Sequence, residues 1–451
     1  MIGTKAFPVV FALAVSLPAL AGFEEGLTAY QRGDLKTAVR EFSEAAEKKD
    51  ARALYMLGDM HREGTGVATD YTRAVVYFRQ AADMGFPPAA LELSRAYLFG
   101  HGIEKNAGEA LRLITFAAEQ GLADAQWELA KGYLSGALGQ KDGQLAMRWM
   151  RKAAQSGHAV AQHGLAAQLT AGKLVEKDPA EALAWLKRSA QAGYPKAAFD
   201  LGLAFAEGFG VPRDQEEGAQ WVRSAAAAGL AEAQAHLGWM LLTGTGVKKN
   251  IQESGALVRQ AAEKDDLRAQ YYLAWILLNE KAAKNPGDGI QWLRKAADRG
   301  DPQAQSDLGN YYHEGRYVPR DLRAAHDWLR KGAEQDNTSA MYGLAVLLHG
   351  RAVGENDRRE AARWFRKAAD KGDLDAQMHL GRQFRDGDGV PKDAAEAFAW
   401  MHVAALNAKS ADDRTEWRKE RDAVGAVLSA ADKARASARA NQYAKKFVPP
   451  K

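Results

Sequence analysis

Residues 237–246 read LGWMLLTGTG, and the chain then runs through Asn250 to a Gln-Ala-Ala ending at Ala262. The stretch reads as a helix, a glycine-rich turn (Gly244-Thr245-Gly246-Val247) and a second helix. The same sentence recurs along most of the chain. Leu-Gly or a close variant stands at 57, 93, 129, 165, 201, 237, 273, 308, 344 and 380, a step of 36 residues broken once by a step of 35. A fixed period of this size means stacked helical hairpins rather than one globular core.

Each repeated position has a physical reason. The Leu and a mostly large apolar residue four places on (Tyr97, Leu169, Phe205, Leu241, Phe384, for example) share one helix face. Gly or Ala beside the Leu admits the partner helix. Glycines then end the first helix, as in Gly64-Thr-Gly66 and Gly387-Asp-Gly389. Before the second helix stand Asp70, Asn106, Asp142, Asp178, Asp214, Asn250, Asn285, Asp321, Asp357 and Asp393. All are residues that accept backbone N–H bonds at a helix start, so the column reads as N-caps, with Pro179 and Pro286 at the first helical position. The second helix carries Trp149, Trp185, Trp221, Trp292, Trp328, Trp364 and Trp400 at one repeat position. A stripe of this kind reads as the core between repeats.

Residues 1–21 differ in kind. Lys5, an apolar run from Phe7 to Leu17 and Ala19-Leu20-Ala21 make a secretory signal pattern, with cleavage expected after Ala21. The expected organisation is therefore a signal at 1–21, a shorter hairpin at 22–50, ten repeats at 51–409 and capping helices at 410–451. The formal charge of +4 gives no reason to expect nucleic acid, and the absence of cysteine removes disulfides and thiolate metal sites. After removal of the signal, no segment is apolar enough for membrane insertion.

Leu-Gly-x-x-Tyr, the Gly-x-Gly-Val turn, Asp and Ala-x-x-Trp-x-x-Lys-Ala-Ala together resemble the Sel1-like repeat family, related to tetratricopeptide repeats. The cleanest copies are 201–226 and 380–405. The resemblance implies an all-α, right-handed α/α superhelical solenoid with first helices lining a concave face, used as a protein-binding scaffold. It further implies, for exported bacterial members, a role in exopolysaccharide secretion, motility, envelope signalling or host interaction. The turn at 279–285 and the stretch 350–356 depart from the pattern.

No catalytic signature holds. His313-Glu314 begins like a zinc-protease motif, but Tyr317 stands where the second histidine is needed. Asp386-Gly-Asp388-Gly389 is followed by Val390 and Pro391 where a calcium loop needs oxygens. No catalytic, metal or cofactor site is assigned. The candidate binding residues sit two places past the repeat Leu, on the face expected to line the groove. They include Arg95, Lys131, Leu203, Trp239, Trp275 and Arg382, with Tyr271 and Tyr272 beside the tryptophans. The position is charged at both ends of the array and apolar in the middle. Two readings of Trp239 and Trp275 stand side by side: anchors for a partner, or rings buried beside the irregular 279–285 turn. The expected ligand is an envelope protein in the periplasm or outside the cell, with a polysaccharide such as peptidoglycan or exopolysaccharide as the alternative.

Overall fold

The computed structural model describes residues 22–281 and 283–447. The expected signal segment and its cleavage site lie outside these residues. The described chain is helical, without a strand, and divides between Ala228 and Gly229 into two compact units. No helix among the described residues is long and apolar enough to cross a membrane.

The first unit holds α1 (Phe23–Gln31), α2 (Leu35–Glu47), α3 (Ala51–Glu63), α4 (Tyr71–Asp83), α5 (Pro87–Phe99), α6 (Ala107–Glu119), α7 (Ala123–Ser135), α8 (Gly143–Gln155), α9 (Ala159–Ala171), α10 (Pro179–Gln191), α11 (Pro195–Glu207) and α12 (Gln215–Ala227). The second holds α13 (Ala231–Thr243), α14 (Ile251–Glu263), α15 (Leu267–Asn279), α16 (Pro286–Asp298), α17 (Pro302–Glu314), α18 (Leu322–Glu334), α19 (Thr338–Arg351), α20 (Glu355–Asp370), α21 (Leu374–Asp386), α22 (Ala394–Asn407), α23 (Ala411–Ala426) and α24 (Ala430–Phe447). Within each unit, consecutive helices pair as hairpins, and each second helix packs on the first helix that follows. This is the helical-repeat solenoid class that the period predicts.

Burial follows the repeat positions. In the first unit one cluster runs from Phe23 to Trp185 through Leu57, Leu93, Leu129 and Leu165, all nearly inaccessible. In the second unit Leu273, Leu308, Leu344 and Leu380 do the same. The Gly beside the Leu is a steric need at the tightest hairpin. A Cβ on Gly202 would lie 2.7 Å from the carbonyl oxygen of Gly218 on the facing helix, and a Cβ on Gly218 would lie 2.7 Å from that of Gly202. The turn glycines adopt the left-handed backbone, φ 73° at Gly64 and 79° at Gly387, and end their helices there.

Nine of the ten Asp/Asn residues are N-caps. Asp70 accepts from Arg73 N at 2.9 Å and Asp142 from Leu145 N at 2.9 Å, and the others act alike. Asp357 is the correction. The helix it should cap begins earlier, at Glu355 after an uncapped Gly354, so Asp357 lies inside the first turn and accepts from Val353 N at 3.1 Å. The missing turn glycines of this hairpin allow α19 to run on to Arg351 and α20 to start early.

The Trp stripe is core in part. Trp149, Trp185, Trp364 and Trp400 are buried, whereas Trp221, Trp292 and Trp328 are half-buried. Ser429 caps α24 as its sequence suggested, accepting from Asp432 N at 3.1 Å.

Gly202→Ala is expected to destabilise its hairpin by about 1–3 kcal/mol through overpacking. Asp70→Ala is expected to cost about 1 kcal/mol, and Asp357→Ala clearly less. Hydrogen exchange resolved by hairpin is the measurement, because a repeat array opens locally.

Candidate functional site

The candidate residues fall into separate neighbourhoods. In the first unit, the first helices of three successive repeats carry a ladder of alternating charge. Arg62 of α3 bonds Asp59 on its own helix and reaches Glu92 of α5 at 3.2 Å. Glu92 also holds Arg95 at 2.5 Å, Arg95 reaches Glu128 of α7 at 3.4 Å, and Glu128 holds Lys131 at 3.0 Å. Burial raises the Asp59 carboxyl above its ordinary value, against the pull of Arg62. Arg95 and Lys131 are thus brought together, each with a carboxylate partner inside the chain.

Leu203 lies further along the first unit, half-buried beside a cavity of about 410 Å³ between α9, α10 and α11. At its rim His163 Nε2 and Asp200 Oδ2 are 2.8 Å apart, and Phe209 stands 60% exposed. Lys196 also reaches Asp200, at 3.2 Å.

The second unit gathers the aromatic candidates. Trp239 of α13 stacks on Tyr272 of α15 with centroids 4.8 Å apart, and meets the edge of Trp275 at 6.4 Å. All three rings are half-buried and rest on an apolar floor that includes Leu242, Val258 and Leu273. Their packed sides answer to the core reading and their open sides to the anchor reading. Neither indole N–H finds a partner among the described residues, as is also true of the buried Trp149 and Trp364, whereas Trp185 and Trp400 donate theirs to Glu181 and Glu396. Tyr271 has a different task. Its hydroxyl donates to Asp307 Oδ2 of the next repeat at 3.1 Å, and Gln303 donates to the other carboxylate oxygen at 2.9 Å. Burial raises both the Tyr271 phenol and the Asp307 carboxyl.

Arg382 is engaged by the C-terminal helices. Its Nε and Nη2 donate to Glu420 of α23 at 3.0 and 2.6 Å, and these bonds hold the Glu420 carboxyl below its ordinary value. Arg435 and Arg439 of α24 reach Asp393, Arg439 and Tyr443 reach the buried Glu396, and Lys446 reaches Asp370. These cations dock the terminal helices on the repeat before them.

Ten consecutive stretches, residues 51–86, 87–122, 123–158, 159–194, 195–230, 231–266, 267–301, 302–337, 338–373 and 374–408, match the family described as Sel1 repeat. The chain belongs to the Sel1 repeat family. Among solved structures it is similar to c5321, a protective antigen of uropathogenic Escherichia coli with an SLR fold, at 29% identity and a TM-score of 0.71. That match covers 91% of this chain and 95% of the other. It is also similar to a Sel1 repeat protein from Oxalobacter formigenes, at 30% identity and a TM-score of 0.51, over 54% of this chain and 99% of the other. No curated protein matches. Sel1 repeats in general mediate protein interactions, and the family is typically a non-catalytic scaffold.

In this Sel1 array the sequence reading missed one column, a glutamine, and the contact made by another, the Lys of the Trp-x-x-Lys motif. The cation three places past the Trp lies over its ring: Lys152 on Trp149 at 4.2 Å, Arg188 on Trp185 at 4.8 Å, Lys331 on Trp328 at 4.2 Å and Lys367 on Trp364 at 4.1 Å. The glutamine three places before the Leu joins one hairpin to the last. Gln126, Gln162, Gln305 and Gln377 each donate to the carbonyl of the alanine eight residues earlier, at 3.0–3.2 Å. Arginines of the second helices are also answered from the next repeat. Arg79 and Arg294 bond the hydroxyls of Tyr97 and Tyr312, and Arg151 and Arg330 bond Glu181 and Glu360.

Because the folded-state value of Glu420 lies below the ordinary 4.5, its bond to Arg382 contributes fully above that value. The contribution is lost as pH falls through the lowered value. Acidification from pH 4.5 downward is expected to loosen residues 411–426 before the repeats. Glu420→Gln should loosen them already at pH 7, as read by side-chain NMR of Trp417.

Proposed function

We propose that this chain is a non-enzymatic scaffold, exported to the periplasm or beyond, that binds an envelope protein through the Trp239–Tyr272–Trp275 cluster. The single observation that carries the reading is the gathering of two half-buried tryptophans and Tyr272 from adjacent hairpins into one aromatic patch. A ring with an apolar side on the core and a free polar tip is suited to anchoring another protein. The charged ladder around Arg95 and Lys131 is neutralised internally and sets on-rate more than affinity.

Export is supported by the sequence of residues 1–21, with Lys5, the apolar run and the Ala19-Leu20-Ala21 pattern. The family resemblance supports a place in secretion, motility or signalling at the envelope. A polysaccharide ligand is the lesser reading. Tyr272 covers one face of Trp239, and the two indoles meet at 76° rather than forming one flat platform for sugar rings.

The test is a pulldown from envelope extract with wild type beside the Trp239→Ala, Trp275→Ala variant, together with thermal melts and a glycan array. The expected outcome is loss of one captured protein by at least tenfold, a melt within a few degrees of wild type, and an array without hits. A melt lowered by ten degrees or more would make the rings core, and array hits lost in the variant would make the ligand a glycan.

A further inference from the structure

The ninth hairpin departs from its neighbours where the turn should be. α19 runs to Arg351, Val353 stands 93% exposed, and α20 starts at Glu355. In the tenth hairpin the ordinary turn returns, and Gly389 lies so close to α20 that a Cβ there would meet the Arg358 carbonyl oxygen at 2.2 Å. Between these two turns the second unit contains a cavity of about 600 Å³, lined in part by His349, Arg358, His379, Gln383 and Asp388.

Gln383 stands three places past the repeat Leu on α21, where Met60, Met240, Ile276 and Leu347 are almost wholly buried in other hairpins and where the other glutamine of the column, Gln168, is only half-buried. Gln383 is only 4% exposed, yet neither its Oε1 nor its Nε2 has a hydrogen-bond partner among the described residues. A buried donor and acceptor left unmade oppose folding, and violations of this kind concentrate at functional sites. The charged groups around it are already matched. Arg382 holds Glu420, Arg385 holds Asp386, and His349 and Arg358 share Asp388 at 3.3 and 3.6 Å. His379 lies flat on Phe365 with centroids 4.9 Å apart and makes an aromatic wall. The amide is therefore a buried polar group of this cavity left to be satisfied, and each of the three arginines on the walls already has a carboxylate partner, Glu420 from outside the cavity included, so none is left to recruit an anionic ligand.

A primary amide offers one acceptor and one donor along a single edge. In extended backbone, the N–H and C=O of one residue also point to the same side, which is how antiparallel strands exchange two bonds between a residue pair. We propose that this cavity binds an extended, uncharged peptide segment whose single-residue N–H and C=O pair with Gln383 Oε1 and Nε2. The side chain has three rotatable bonds and no hydrogen bond to break, so it can turn its amide into the cavity that it lines. The site is distinct from the aromatic cluster and stands whether or not that reading holds.

The test uses the full chain and Ac-Ala-Ala-Ala-NHMe as probe, followed by NMR of side-chain amides. The Gln383 resonance is assigned by its absence in Gln383→Met. The expected result is a saturable shift of that resonance, at least tenfold weaker binding to Gln383→Met, and no shift with the same peptide N-methylated at its central residue. Gln383→Met should melt no lower than wild type, because it removes an unpartnered amide. The proposal is overturned by no saturable shift, by equal binding to Gln383→Met, or by a lower melt of that variant, which would give the amide a structural partner such as water. A shift with N-acetylglucosamine and none with the peptide would overturn the ligand class. The Trp239→Ala, Trp275→Ala variant should bind the probe as wild type does, so failure here leaves the aromatic reading untouched.

Discussion

A hairpin of two short helices has more apolar surface than its own two faces can cover, and its neighbour must cover the rest. That constraint governs nearly every residue in this chain. It requires Leu and a partner four places on, glycine or alanine where two helices meet, and turns of one length so that each hairpin reaches the next in register. Polar groups at the seam face the same demand. The closing carbonyls of each second helix lack intrahelical donors, and a glutamine from the next hairpin supplies one, as Gln162 does for Ala154. The seam is apolar in bulk and fixed in register by these few bonds.

Much of this was legible because the repeat writes each position many times. Asp70 and Asn250 could be read as caps from local chemistry alone, since a cap bonds a backbone group two or three residues away. The helix-ending glycines and the placement of Pro179 and Pro286 were readable for the same reason. Asp357 misled because its column was trusted over its surroundings. Without turn glycines the preceding helix had no fixed stop, and the next one nucleated early at Glu355.

The binding residues were less legible because the partners that tie them to other helices lie thirty or more residues away. Arg95 and Lys131 read as free charges, yet Glu128, on the next first helix from Arg95, lies between them. Arg382 read as a groove residue, and its carboxylate partner comes from a helix outside the repeats. The aromatic cluster was readable as a cluster, since equivalent positions on adjacent hairpins must lie side by side. How deeply the rings sink depends on packing that spacing does not encode. Gln383 was invisible to the reading because polar identity at a core position becomes telling only when its lack of partners is known.

The terminal helices constrain how such an array can change length. Glu396 is buried in the last hairpin and satisfied by Trp400 on its own helix and by Arg439 and Tyr443, which α24 alone supplies. A hairpin appended after it would displace those donors and strand the carboxylate. A hairpin duplicated in the interior meets only surfaces that already fit copies of themselves. Lineages of this chain can therefore gain or lose repeats from the middle while the last hairpin and its terminal helix stay matched to each other.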